Sequence, residues 1–466
     1  MRVTNPMMAS KMTLNINRNM GRLDALYAQW ASGKKIQFPS EDPIVASRAL
    51  KFRTTVAENT QYQRNVEQGL SWMEVSEGGY NETMQILKKI KELTVQGDGA
   101  ESMEDKQAMA TQINSLLEQI GLTMNNSYTG RYLYSGYRTD EPGVILKDEM
   151  TLSFTDITQT LTGGNIEKIK AFQKFGAAEE PVITDASILK LPYKHIDFSG
   201  ASAGVSVDGG AQVSVTTKSA VNDADAYNPG ASDIYYIQET GELVLGSDFV
   251  NGKEFEVVYD KSGFDKGDLN PKVYFTCTDS SGNVFSMDAQ NMEYEFSVGT
   301  RFPVNSLAKD IVTAEMYADI MSFCDSVLNT KVSEQADVIA ALKADPQHAG
   351  KTEEEYVKMA LTQIEHERER VETSVQQKFS NMIAIVDKHA AALSKGQTDL
   401  GARASRLELI RNRLEADETA YTKLMSENED ADLVEVAMLL ANAEGIYQAS
   451  LQVGMNIIQT SLANFL

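Results

Sequence analysis

Cysteine is scarce. Cys277 and Cys324 are the two in 466 residues, they lie far apart, and neither belongs to a C-x-x-C pair. That excludes a disulfide framework and a cysteine-built zinc site, and leaves two ordinary part-buried thiols. Histidine is scarce as well, with His195, His348, His366 and His389 as the four. In IEHERERVE, His366 and Glu369 share a helical face, which reads as a solvated charged surface. Basic charge is in deficit: the formal net charge is −23, so the chain makes a poor polyanion binder and no nucleic-acid partner is expected. No apolar run approaches the roughly 18 residues of a membrane span, so no membrane insertion is expected. The opening MRVTNPMMASKMTLNINRNM lacks the continuous apolar core of a cleavable secretory signal. The protein is thus expected to be cytoplasmic or to leave the cell by another route.

Catalytic motifs are missing too. No P-loop or H-E-x-x-H occurs. GDG at 97–99 follows no strand, so it is no dinucleotide fingerprint. DKSGFDKGDLN at 260–270 is acidic but misses the calcium-loop spacing and reads as a hairpin loop. No catalytic residue, cofactor site or metal site is expected, and the chain reads as a non-enzyme.

What is present is helical periodicity at both ends and strand periodicity between them. FPSEDP supplies Asp42 as a helix N-cap and Pro43 as the first helical residue. Apolar residues recur at helical spacing from there to QGDG at 96–99, and again through Met109, Ile113, Leu117 and Ile120. From 144 to 304 the texture changes to short runs such as DIYYI, ELVLG, FEVVY, KVYFTC and NVFSM. Turns separate them, among them ETGE, FVNGK, DKSG, DSSG and DGG. This is the pattern of antiparallel strands. Residues 140–301 hold 26 acids against 12 bases, which suits an outward-facing domain. Helix resumes over 310–330, a loop is expected at 343–352, and helices are expected over 353–394, through SRLELIRNRLEADETAYTKLM, and from 433 to the end. The expected class is α+β: an elongated helical bundle or coiled coil formed by both chain ends, with an inserted antiparallel β domain. The expected divisions are 1–40 and 428–466 as terminal helices, 41–140 and 306–427 as two halves of a helical domain, and 141–305 as an inserted β-rich domain.

The termini are the distinctive feature. Near the start, Met12, Ile16, Met20, Leu23, Tyr27 and Trp30 step by three or four along one helix face. In the last helix Leu440, Tyr447, Leu451, Ile458, Leu462 and Phe465 belong to a similar stripe, with Gln448, Gln452, Asn456 and Gln459 opposite. No residue after Glu444 is charged. At least five amides would have to be buried in hydrocarbon for this end to span a membrane, which disfavours a span. An amphipathic stripe hides against other helices. The first and last helices form the natural pair, and the width of their stripes calls for further copies of the chain.

Six blocks carry a family resemblance. SGKKIQFPSEDPIVASRAL (32–50), YQRNVEQGLSWM (62–73) and NNSYTGRYLYSGYRTD (125–140) resemble the flagellin-related axial proteins, and the latter two their hook–filament junction members. DLGARASRLELIRNRLE (399–415), SENEDADLVEVA (426–437) and YQASLQVGMNIIQTSLANFL (447–466) resemble that family's closing pattern. Glu41 stands where the family more often has Asp. The resemblance implies helical inner domains, with the terminal helices as an inner polymerisation domain, an outer β domain, and export through the flagellar type III apparatus to an extracellular hook–filament junction without a cleaved signal. It implies a homo-oligomer that joins a proximal hook-associated junction protein on one side and flagellin on the other. It also implies an export chaperone, and terminal segments that are disordered before assembly. A flagellin or minor flagellin is the alternative, and a surface adhesin or glycan-active protein using the β middle is a third.

Overall fold

In a computed structural model the described residues are 5–173, 182–220, 222–288, 290–345, 348 and 350–463, with side chains described from 7 to 455. Helix α1 runs Asn5–Ser32, α2 Pro43–Asp98 and α3 Met103–Thr123. A β-rich middle follows, with β1 Ser127–Tyr128, β2 Arg131–Tyr132, β3 Glu149–Thr162, β4 Glu167–Gln173, β5 Val182–Lys190, β6 Gly204–Val207, β7 Val215–Lys218, β8 Ile234–Ile237, β9 Glu242–Leu245 and β10 Glu254–Phe264. Next come the single helical turn α4 Pro271–Tyr274, β11 Thr276–Asp279, β12 Val284–Phe285, β13 Glu293–Ser297 and β14 Thr300–Pro303. Then α5 Ala308–Ile311, α6 Ala314–Leu328, α7 Gln335–Ala344, α8 Glu353–Glu429 and α9 Leu433–Ala463 complete the order. The fold is α+β, with helical chain ends and an inserted β region, as the texture of the sequence predicts.

The chain divides into two compact units. One comprises 1–68, 295–300 and 407–466; the other comprises 69–294 and 301–406. In the first, α1 lies against α9. Asn59 on α2 donates to the Leu414 carbonyl of α8 at 2.8 Å, and Asn428 donates to the Val45 carbonyl at 3.1 Å, so α2 and α8 run antiparallel. In the second unit the same two helices stay antiparallel, with Lys91 paired to Asp387 at 2.5 Å and Gln397 to Asn81 at 2.9 Å.

Both long helices contain glycines, and packing explains several of them. A Cβ on Gly79 would sit 2.0 Å from the hydroxyl of buried Tyr134, and one on Gly97 would sit 2.2 Å from the Phe379 ring. On α8, a Cβ on Gly396 would lie 3.0 Å from the Tyr80 ring. Each glycine costs about 1 kcal/mol of helix propensity against alanine and admits a ring that alanine would displace. Neither helix contains an internal proline, so α2 extends unbroken for 56 residues and α8 for 77. The two separate helices expected over 353–394 and beyond are therefore one. Conversely, the helix expected over 310–330 is interrupted at 312–313, where Thr313 turns to cap α6 by accepting from the Met316 amide.

The second unit carries two five-stranded sheets. Their strand orders are β12-β11-β3-β10-β6 and β4-β5-β9-β8-β7. Pairing is antiparallel except between β7 and β8, which run parallel. The chain at 219–233 between them is long enough for the crossover a parallel pair requires. Two local expectations are corrected. DKSG is no turn: β10 runs through it, and register shifts at Tyr259/Lys261 and Ser262/Phe264 absorb Gly263, whose φ is 72°. KVYFTC is not one strand: Asn270 accepts from the Lys272 amide and Pro271 takes the first helical position, so KVY closes one helical turn before β11. DGG is a hairpin turn as expected, with Asp208 and Gly209 at φ 51° and 70°. The β core is aromatic. Tyr193 meets Phe264 and Phe275 edge-on at 5.6 and 5.9 Å, and its hydroxyl donates to the Leu269 carbonyl at 2.7 Å.

Candidate assembly interface of the terminal helices

Helices α1 and α9 pair antiparallel. Leu26 packs with Val436 and Ala443. One heptad further along, Asn19 donates to the Ser450 hydroxyl at 2.8 Å. Further still, the Cβ position of Gly454 lies 3.4 Å from Ile16 and 3.8 Å from Met12. The least exposed described positions on α1 include Met12, Ile16, Asn19, Leu23 and Leu26; on α9 they include Val436, Leu440, Ala443, Tyr447, Ser450 and Gly454. Both sets alternate steps of four and three, the heptad of a two-helix coiled coil. The seam carries one polar pair, Asn19 with Ser450, and such a pair fixes the register of an otherwise apolar seam.

This seam is narrower than the stripes read from the sequence. Met12, Ile16, Leu23, Leu440 and Tyr447 lie in it or on its border. Tyr27 and Trp30 are 45% and 46% exposed, and Leu451 is exposed as well. The reason is geometric: a pair of helices covers an a/d strip of period 3.5, so a mixed run of threes and fours drifts off it. The strict four-three alternation selects Asn19 and Leu26 over Met20 and Tyr27, and was present in the sequence. Tyr27 instead donates its hydroxyl to Glu444 across the seam's edge, and that carboxylate raises the phenol's pKa. The side chains of Ile458 and Leu462, and Phe465 entirely, lie outside the described residues.

The flanks of the pair remain apolar and uncovered. Leu14 and Met20 on α1, and Val434, Met438, Val453 and Met455 on α9, are each more than half exposed. Scattered exposed apolar residues are normal, but flanks of this density along one helix pair make a candidate association surface.

A compact polar joint anchors the pair. Gly33, at φ 68°, ends α1 with its amide on the Gln29 carbonyl, the left-handed terminator expected of glycine there. The following residues zip against the turn after α8: the Lys35 amide donates to the Glu429 carbonyl at 2.7 Å and the Ala431 amide to the Gly33 carbonyl at 2.8 Å. Glu429 is nearly buried and accepts two bonds from Arg53, at 2.8 and 2.6 Å, while Lys34 lies 3.3 Å from Glu429 and 2.6 Å from Asp430. Arg53 first, and then Lys34, hold the Glu429 carboxyl below its usual range. Asp42 caps α2 through the Ile44 and Val45 amides at 2.9 and 3.1 Å, and α2 opens at Pro43. Asp432 caps α9 in the same way through Val434 and Glu435. The sequence reading singled out Asp42 but not Glu429, whose partners are about 375 to 395 residues away in the chain.

Among the described residues no cluster of three metal-ligating side chains occurs, and no helix is long and apolar enough to cross a membrane. The model of the bacterial flagellin N-terminal helical region matches residues 3–139. The chain is similar to flagellar hook-associated protein 3 of Salmonella typhimurium, 27% identical over 142 residues that cover 30% of this chain and 45% of that protein. It is also similar to flagellin 1 of Proteus mirabilis, 28% identical over 128 residues that cover 27% of this chain and 35% of that one. The chain thus spans less than half the length of these curated relatives. Among solved structures, flagellar hook associated protein-3 from Legionella pneumophila aligns with 81% of this chain and 98% of its own, at 14% identity and a TM-score of 0.35. The resemblance read from the motifs at 32–50, 62–73 and 125–140 agrees with these findings: residues 3–139 match the model of the bacterial flagellin N-terminal helical region, and the chain is similar to flagellar hook-associated protein 3 over 142 residues.

Proposed function

We propose that this chain is a structural subunit of the hook–filament junction of the bacterial flagellum, joining a proximal hook-associated junction protein to flagellin. The observation that carries the reading is the α1/α9 pair, which closes a heptad seam yet leaves Leu14, Met20, Val434, Met438 and Val453 exposed on its flanks. Helices of neighbouring subunits are the natural cover for such flanks, so the chain acts as a homo-oligomer whose terminal helices line the assembly. In this reading 1–40 and 428–466 are the polymerisation segments, 41–140 and 306–427 two halves of a helical domain, and 141–305 an inserted β-rich domain. The similarity to flagellar hook-associated protein 3 and to flagellin supports this reading. In it the chain is no enzyme, it leaves the cell through the flagellar export apparatus without a cleaved signal, and an export chaperone covers α9 beforehand.

Deleting the gene tests the proposal. The expected phenotype is hooks without filaments, with flagellin shed into the medium; normal filaments would overturn it. Immunogold labelling confined to the hook–filament boundary is expected, whereas label along the whole filament would favour flagellin itself. Removal of 446–466 should abolish assembly while the β region stays folded, and an assembly-competent truncation would refute the role given to α9.

A further inference from the structure

The first unit is electrically polarised along its chain. Residues 1–68 hold ten Lys and Arg against five Asp and Glu, whereas residues 407–466 hold three against ten. Part of this surplus cancels inside the subunit, where Arg53 pairs with Glu429 and Lys34 with Glu429 and Asp430. The rest does not. On α1, Lys11, Arg18 and Arg22 are exposed and form no ion pair among the described residues. They step by seven and four, so they share one helix face, and it lies outside the seam of Met12, Ile16, Asn19 and Leu23.

The acidic surplus has a matching face. Near the end of α8, Glu408, Asn412, Glu415 and Thr419 are exposed and step by four, three and four. Glu408 forms no ion pair among the described residues, and Glu415 reaches only Arg411, at 3.9 Å, with both side chains exposed. Seven residues separate Glu408 from Glu415, and seven separate Lys11 from Arg18. Each spacing is about 10.5 Å along a helix, so two helices laid side by side register both pairs at once. Leu14, among the bases, and Leu409, beside Glu408, are 53% and 71% exposed, so apolar surface accompanies the charge on each face.

We propose that the Lys11–Arg18 face of α1 in one copy of the chain docks on the Glu408–Glu415 face of α8 in the next. The two faces differ, so the contact is heterologous. Each copy offers its basic face to one neighbour and its acidic face to the other, and the contact repeats from subunit to subunit instead of closing a dimer. Complementary charge selects this neighbour and fixes its register. This docking rests on the homo-oligomer of the proposed function and supplies its electrostatic contact, beside the apolar flanks of α1 and α9.

Sedimentation velocity of the purified full chain tests it, on wild type, K11E/R18E, E408K/E415K and the variant carrying all four changes. Wild type should self-associate with rising concentration at low salt. Each single-face reversal should weaken that association at least tenfold at unchanged circular dichroism. The fourfold variant should recover most of it, because unlike charges again face each other with their positions exchanged. High salt should narrow the gap between wild type and the reversals. If a reversal fails to fold, K11Q/R18Q and E408Q/E415Q take its place, each expected to weaken association severalfold. A wild type monomeric at all concentrations, undiminished association in a folded single-face variant, or a fourfold variant as weak as the single-face reversals would overturn the proposal. The junction reading is judged separately by the deletion strain and the immunogold label. With those upheld, unchanged association in K11E/R18E sinks this contact alone.

Discussion

Replacing Glu429 by glutamine should loosen the joint between the terminal helices. The substitution keeps the side chain's shape and one acceptor oxygen, and removes the charge that Arg53 and Lys34 address. Hydrogen bonds to a charged group contribute about 1.5–3 kcal/mol each when shielded. Glu429 is shielded, with 5% of its side chain exposed, but Arg53 and Lys34 are 59% and 41% exposed. Solvent screens that side of the interaction, and exposed pairs contribute roughly 0.2–1 kcal/mol. The net loss expected for E429Q is therefore about 1–2 kcal/mol. A chain of two units need not unfold in one step, so the measurement has to be local. Hydrogen exchange at the Lys35 and Ala431 amides reads the joint directly, because they donate across it to Glu429 and Gly33. At neutral pH, E429Q should speed their exchange roughly 5–30-fold, the factor that corresponds to that free energy. The pH dependence follows from the sign of the shift. Glu429 titrates below its ordinary value of 4.5 in the folded chain, so its contribution is present above that value and lost as pH falls through the folded pKa. Wild type and variant should converge in acid. Unchanged protection at neutral pH, or a difference that persists in full well below pH 4, would refute the reasoning.

Other outcomes are expected elsewhere. At Gly454, alanine should stabilise the α1/α9 pair by up to about 1 kcal/mol, since its Cβ meets Ile16 at an ordinary 3.4 Å and glycine's helix penalty disappears. Leucine there should cost about 1–3 kcal/mol by overpacking, so proteolysis of the terminal helices should slow in G454A and quicken in G454L. Burial raises the Asp268 carboxyl to about 6, so its folded form favours the proton, and the stability this confers is lost as pH rises through 6. D268N should therefore raise the melting temperature of the β region at pH 8, by the equivalent of about 1–2 kcal/mol, and leave it unchanged below pH 4. Burial pushes both Cys277 and Cys324 up to about 12, so neither should react with a thiol reagent at pH 8 until the chain is unfolded.

Much of the architecture was legible because its signals are local. Asp42-Pro43 starts α2, Gly33 ends α1, and the change of period near 144 and again near 304 brackets the β region. The misreadings have two causes: a partner distant in sequence outweighs a local signal, or a stronger local signal just upstream overrides it. Gly396, just past the helix end expected at 394, resembles a helix breaker until the Tyr80 ring occupies the space it leaves and α8 continues. Gly263 resembles a turn until β3 pairs across it and the strand bulges instead. KVYFTC alternates like a strand, yet the cap and proline just before it, Asn270 and Pro271, close a helical turn first.

At the candidate interface, sequence alone determined that α1 and α9 are amphipathic and that α9 is uncharged after Glu444, because helical periodicity is written in neighbouring residues. Tertiary structure decided which residues of those stripes form the seam. An antiparallel pair with Asn19 on Ser450 admits one heptad strip, and so seats Leu26 inside while Tyr27 and Trp30 stay on the flank. It also decided the joint at Glu429. Its partners come from separate elements, and no pattern along the chain encodes a distance between side chains that only folding brings together.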